Sequence, residues 1–115
     1  MATPVGPYTP VVKAGDFLYI SGQIGIDANG NLVEGFADQA KTAIGNLLGL
    51  LGENGATAAN LVKTTLFVTD MGNYAAVNDI YTSLLGEVRP ARSAVAVAAL
   101  PKGAEFEIEA IAYVG

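Results

Sequence analysis

The chain contains no cysteine, no histidine and no tryptophan, and each absence removes chemistry. Without a thiol or an imidazole there is no Ser-His-Asp triad, no Cys nucleophile, no redox Cys-x-x-Cys pair and no His- or Cys-based zinc or iron site. Carboxylates, amines, guanidinium groups, hydroxyls and the backbone are what remains. Charge is scarce as well. Asp, Glu, Lys and Arg make up 15% of the 115 residues, against roughly 25% in ordinary soluble domains. The net charge is −5, and apart from the Arg89/Arg92 pair the six basic residues (Lys13, Lys41, Lys63, Arg89, Arg92, Lys102) are scattered. Nucleic-acid affinity grows with the number of phosphates neutralised, so no nucleic-acid partner is expected. There is no basic and apolar leader of the secretory kind, and no apolar run near the ~18 residues of a membrane span. The expectation is a cytoplasmic protein with no membrane partner.

What is present is apolar: 51% of residues are hydrophobic and 14 are glycine. A domain of this size buries roughly 65% of its unfolded surface, enough for one core without disulfides or metal. Residues 1–115 are therefore read as a single domain. So little charge on so small a domain implies that another subunit covers part of the surface.

Pro7 and Pro10 keep the entry segment out of a sheet, because proline lacks the ladder N–H. Val11-Val12 and Phe17 to Ile24 then read as two strands around a Lys13-Ala14-Gly15-Asp16 turn, with Ser21-Gly22 a candidate bulge. From about Phe36 to Glu53, Ala40, Ala43, Ile44, Leu47, Leu48, Leu50 and Leu51 recur at helical spacing, with Gly45, Gly49 and Gly52 opposite and Asn54-Gly55 as the stop. Leu61 to Thr69 is β-branched and reads as a strand. Asp70 or Asn73 starts a second helix through about Leu85, with Tyr74, Val77, Tyr81, Leu84 and Leu85 expected on its buried face and Gly86 and Pro90 ending it. Strands over about 93–98 and 106–113 follow, joined through Leu100-Pro101-Lys102-Gly103. The order ββ-α-β-α-ββ predicts an α+β fold, a mixed β-sheet with two helices packed on one face.

Alternation assigns the sheet's second face. Arg92, Ala94, Ala96 and Ala98 point to one side of their strand; Glu105, Glu107, Glu109 and Ile111 point away from Phe106, Ile108, Ala110 and Ala112. With the larger apolar set under the helices, the second face is expected to carry small residues, an arginine and several glutamates.

Several of these residues have two readings. Arg92 beside small Ala94 suits bidentate binding of a carboxylate, or a structural salt bridge to a C-terminal glutamate. Glu107 and Glu109 suit a general base or water-orienting carboxylate, or the solvated side of an amphipathic strand. Tyr8 is a pocket lid or N-terminal packing, Ser21 and Gly22 a hydroxyl beside open backbone or a plain bulge, and Asn78 a solvent-facing helix residue or a tether for a neighbouring loop.

Together these residues stand in a longer pattern. Val5-Gly6-Pro7-Tyr8, the run from Gly15 to Ile24 (GDFLYISGQI), Val62 to Met71 (VKTTLFVTDM), Ala76-Val77-Asn78 with Tyr81, Pro90 to Val95 (PARSAV), Leu100-Pro101-Lys102-Gly103 and Glu107 to Ala112 (EIEAIA) resemble, in order and over nearly the whole chain, the RidA (YjgF) family. The resemblance implies a chorismate-mutase-like subunit, assembly as a homotrimer whose sheets form a central barrel, and ligand sites in clefts between subunits. It also implies hydrolytic deamination of 2-enamino and 2-imino acids such as 2-aminoacrylate to 2-keto acids and ammonia, with no cofactor and no metal. Arg92 then corresponds to the carboxylate anchor and Glu107 to the residue positioning the water, with Tyr8, Ser21, Gly22, Asn78 and Ala94 at further pocket positions. Ala94 departs from the family's common Cys, and Gly25 from a common Pro that would stiffen its loop. The alternatives are a non-enzymatic trimer that binds small acids or proteins, and an endoribonuclease, which the charge balance opposes.

A simple hairpin between the last two strands would set Arg92 opposite Ala112 and leave Glu107 five residues away, ~17 Å along the strand. On that reading Arg92 of one subunit meets Glu107 of its neighbour, and oligomerisation is part of the mechanism.

Overall fold

The computed structural model describes residues 6–115; Val5 of the N-terminal motif lies outside them. Five strands and two helices follow one another as β1 (Val11–Ala14), β2 (Phe17–Ile24), α1 (Phe36–Glu53), β3 (Leu61–Val68), α2 (Tyr74–Leu85), β4 (Ala91–Ala96) and β5 (Phe106–Tyr113). Short 3-10 turns at Ala58–Asn60, Met71–Asn73 and Pro101–Gly103 link them. The expected α+β layering is present: both helices lie on one side of a mixed sheet of order β1-β2-β5-β3-β4. Among the described residues no helix is long and apolar enough to cross a membrane.

The core forms where the helical and strand periodicities meet. Ala40, Ala43, Ile44, Leu47, Leu50 and Leu51 of α1 are buried against Leu18 and Ile20 of β2, Leu66 and Val68 of β3, and Phe106, Ile108, Ala110 and Ala112 of β5. Burying a Leu, Ile or Phe side chain is worth about 1.5–3 kcal/mol, so this stripe holds a helix whose exposed glycines would not sustain it alone. Asn54 and Gly55 end α1, Gly55 with φ 72°, as the sequence implied. Gln39 was not expected inside; it is buried, and its side-chain oxygen accepts the Glu105 N–H at 2.8 Å.

Three expectations are corrected. First, β4 and β5 do not form a hairpin. The connection carries the chain across β3, so β5 inserts between β2 and β3, and β4 lies at the edge, parallel to β3. β4 also begins at Ala91, immediately after Pro90, rather than near Ser93. Second, the buried stripe of α2 is narrower than predicted: Val77, Tyr81 and Leu85 are buried, whereas Tyr74 and Leu84 are exposed. Third, Arg92 lies on the helix side of the sheet. It pairs with Thr64, and Ala94 pairs with Leu66; both β3 partners are fully buried under the helices. In a strand of Ala, Arg, Ser and one Val, hydrophobic alternation carries too little contrast to fix the facing. Val95 is the residue that points outward.

The sheet's open side accordingly carries Glu107 and Glu109 with Val12, Phe17, Tyr19, Phe67, Val95 and Tyr113, more aromatic than the small-residue face expected. Phe17 packs on Tyr113 with ring centroids 5.2 Å apart. A shallow hollow of about 430 Å³ lies on this side, floored by Tyr19, Thr65, Ile111 and Glu109 and edged by Lys63.

Candidate active site

Two clusters of functional groups form, one on each side of the sheet. The first is centred on Arg92. Its Nη2 donates to the Tyr74 hydroxyl and to Asn78 Oδ1, both at 2.8 Å. The guanidinium carbon sits 5.0 Å from the centre of the Tyr81 ring and 5.5 Å from that of Tyr74, within the range of cation–π attraction. Tyr81 is fixed from below by a buried hydroxyl pair with Thr64 at 2.8 Å. The three α2 residues stand at i, i+4 and i+7, so one helical stripe presents two polar groups and two ring faces to the strand edge. The helical spacing put Tyr74 and Tyr81 on the buried face; Tyr81 is buried there, whereas Tyr74 is exposed and turns its hydroxyl to Arg92. The salt bridge to a C-terminal glutamate does not form, because Glu107 and Glu109 lie on the other side of the sheet. Arg92 is instead seated by neutral groups that leave its charge available. Asn78 is its partner, and Ala94 lies two residues along β4 on the same side.

The second cluster surrounds Glu107. Tyr8, Ser21, Gly22, Ile24, Pro101, Glu107 and Glu109 line a cleft of about 270 Å³. The register shift between Ile20 and Gln23 makes Ser21-Gly22 a bulge, as its composition suggested. The bulge also has a use. Ser21 donates through Oγ to the Thr9 carbonyl at 2.7 Å and through its N–H to the Pro10 carbonyl at 2.9 Å, which ties the segment bearing Tyr8 over the cleft. Gly22 lies under the Glu107 carboxylate so closely that a Cβ there would stand 2.7 Å from the Glu107 Cδ. Glu107 is half-buried; burial pushes its carboxyl above the usual carboxylate range, and the neighbouring Glu109 charge adds to this. The plain reading of Glu107 as a solvated strand residue therefore does not hold, whereas Glu109 is exposed.

Pro101 was not foreseen in the cleft. It arrives there because Lys102 and Gly103, both at positive φ (59° and 74°), turn the chain sharply behind it, and Lys102 anchors the turn on the Gly30 carbonyl at 3.0 Å. The Gly25 carbonyl accepts the Val33 N–H at 2.9 Å, and Asn46 of α1 donates to the Ile26 carbonyl at 2.9 Å, pinning the loop on both sides.

Within one chain the two clusters stay apart. Arg92 pairs with Thr64, which pairs with Ala110, so Glu107 is two strands across and three residues along, about 14 Å between backbones by strand spacing and rise. The two side chains also leave the sheet on opposite sides. The separation expected from the hairpin is thus present for a different reason.

Comparison with known proteins adds to this geometry. The family model for endoribonuclease L-PSP matches residues 1–114. A RutC family protein of Pyrococcus abyssi is 42% identical over 112 residues, covering 96% of this chain and 88% of that protein. The human 2-iminobutanoate/2-iminopropanoate deaminase is 44% identical over 113 residues, covering 96% and 82%. Among solved structures, RidA from an Antarctic Psychrobacter superposes with a TM-score of 0.95 at 41% identity, covering 97% of this chain and 92% of that one.

Proposed function

From the premise that this chain belongs to the endoribonuclease L-PSP family, the RidA family its motifs resemble, we propose that it hydrolyses 2-imino acids, formed from 2-enamino acids such as 2-aminoacrylate, to 2-keto acids and ammonia. The observation that carries the reading is the seating of Arg92. A guanidinium held by a phenol, an amide oxygen and two ring faces keeps its full positive charge for an incoming carboxylate. The name of the human relative, an imine deaminase, supports the same reading.

The chemistry suits the residues. The imine carbon is already electrophilic, so the protein has to hold the substrate and deliver water. Arg92 fixes the carboxylate. Glu107, its basicity raised by burial, accepts a proton as the water oxygen bonds to the imine carbon and the C=N electron pair moves onto nitrogen, which is protonated. As the carbinolamine collapses, Glu107 returns its proton to the departing nitrogen and the hydroxyl proton passes to the solvent that first protonated nitrogen; ammonia leaves and the keto acid remains, so no cofactor or metal is called for. Tyr8, Ser21 and Gly22 frame the Glu107 side of the pocket; Asn78 and Ala94 frame the Arg92 side. The two sides face away from each other in one subunit, so the complete site lies between subunits of a homotrimer, Arg92 from one and Glu107 from the next. The family's name denotes RNA cleavage. Six basic residues against eleven acidic ones oppose that activity here.

The test is keto-acid release from freshly generated 2-aminoacrylate. Removing one partner of a charge-assisted pair costs about 2–5 kcal/mol, so Arg92→Ala is expected to lower kcat/KM by about thirtyfold or more while the oligomer stays intact. Undiminished turnover in that variant refutes the anchor role. Keto-acid binding by the wild type without any turnover would instead make the protein a small-acid binder.

A further inference from the structure

Arg92 is seated in a way that bears on what it can bind. A guanidinium offers a carboxylate two forks of parallel N–H groups: the side fork of Nε with Nη2, and the end fork of Nη1 with Nη2. Each fork needs one of the two Nη2 hydrogens. Here both are taken, one by the Tyr74 hydroxyl and one by Asn78 Oδ1, each at 2.8 Å. Neither fork is complete, and a carboxylate can engage Arg92 with two bonds only if one of these acceptors withdraws.

Tyr74 is the acceptor placed to do so. Asn78 lies inside α2 and its bond to Arg92 is partly buried; the Tyr74 bond is exposed, and so is the residue. Tyr74 is the first residue of α2, and the Asn73 side chain makes no capping bond there, so its side chain can swing without unmaking a helical turn. A phenol oxygen is also a weaker acceptor than an amide oxygen. On leaving Nη2 it gives up one bond, and an arriving carboxylate returns two.

We propose that Tyr74 is a placeholder for the ligand's carboxylate, occupying an N–H that two-pronged binding requires and yielding it to the carboxylate, so that its hydroxyl tunes how tightly carboxylates are held. A ligand with a single acceptor, such as an ester, takes one of the free Nε or Nη1 hydrogens without displacing Tyr74, so the Tyr74 hydroxyl leaves its binding unchanged. The proposal rests on Arg92 being the anchor, and its test separates the two.

The probe is 2-oxobutanoate, titrated calorimetrically into the full chain as wild type, Tyr74→Phe and Arg92→Ala, with KM and kcat measured in parallel on 2-aminoacrylate. Phenylalanine retains the ring facing the guanidinium and removes only the competing oxygen. Tyr74→Phe is expected to bind 2-oxobutanoate about three- to tenfold more tightly, the size of one modest hydrogen bond, with the gain appearing in KM rather than in kcat. Unchanged or weaker binding in Tyr74→Phe, alongside loss of binding in Arg92→Ala, overturns the placeholder and leaves the anchor standing. Wild-type binding in Arg92→Ala overturns both.

Discussion

Glu107 sits half-buried under a bulge with a second carboxylate beside it, and its raised pKa acts on stability and activity in opposite directions. Between the ordinary glutamate pKa and the raised one, the folded chain keeps a proton that the unfolded chain has released. The stability this gives is present at low pH and is lost as pH rises through the window. At neutral pH the ionised Glu107 therefore costs stability, and Glu107→Gln is expected to raise Tm at pH 7 while abolishing turnover. The proposed reaction needs the carboxylate, so kcat/KM should fall as pH drops through the raised pKa. Glu109→Gln removes the like charge and should move that acid limb to lower pH, which a pH–rate profile measures; an unmoved limb would mean that Glu109 does not act on Glu107. Glu107 was singled out by the motif it stands in; its burial was not legible, since a Glu-Ile-Glu alternation looks the same whether or not a bulge and an N-terminal segment fold over it. Arg92 was likewise identifiable, but its facing was hidden by the weak contrast of an alanine-rich edge strand.

Two glycines three residues apart separate element packing from site geometry. At Gly25 a Cβ would stand 2.6 Å from the Gln39 Cα, in the first turns of α1. Helix backbone cannot give way there without moving the helix. Gly25→Ala is expected to cost about 1–3 kcal/mol, or roughly 4–8 °C of Tm per kcal/mol for a domain near this size. At Gly22 the obstacle is the end of the Glu107 side chain, which can rotate away. Gly22→Ala should therefore melt close to the wild type yet lose about a hundredfold in kcat/KM through misplacement of the carboxylate. Thermal melts and steady-state rates on both variants check the contrast, and equal losses of stability would contradict it. The elements themselves were largely legible: α1 and β5 have the limits their periodicity implied, since strong amphipathic patterns are local. The insertion of β5 between β2 and β3 was not, because strand pairing joins distant segments and leaves no mark at either one.

For the whole molecule, the placement of Arg92 and Glu107 on opposite sides of the sheet makes assembly a requirement of the proposed reaction. The open side, with Phe17, Tyr19, Val95 and Tyr113 exposed around the Glu107 and Glu109 strand, is more apolar than a water-facing surface needs to be, and its burial in a homotrimer would bring a neighbour's Arg92 edge towards the Glu107 cleft. Complementation tests this directly. Arg92→Ala chains keep Glu107, and Glu107→Gln chains keep Arg92; each assembly alone is expected to be inactive. If the variants are unfolded together, mixed in equal amounts and refolded, a site is restored wherever an intact Arg92 meets the intact Glu107 of the next subunit. In a cyclic assembly with random mixing, that arrangement occurs at about one site in four, so keto-acid release should recover to about a quarter of the wild-type rate. A site built within a single chain predicts no recovery at any mixing ratio, because every chain in the mixture lacks one of the two groups. The dependence on ratio sharpens the distinction: recovery should peak at equal amounts and fall symmetrically on either side, as the product of the two chain fractions requires.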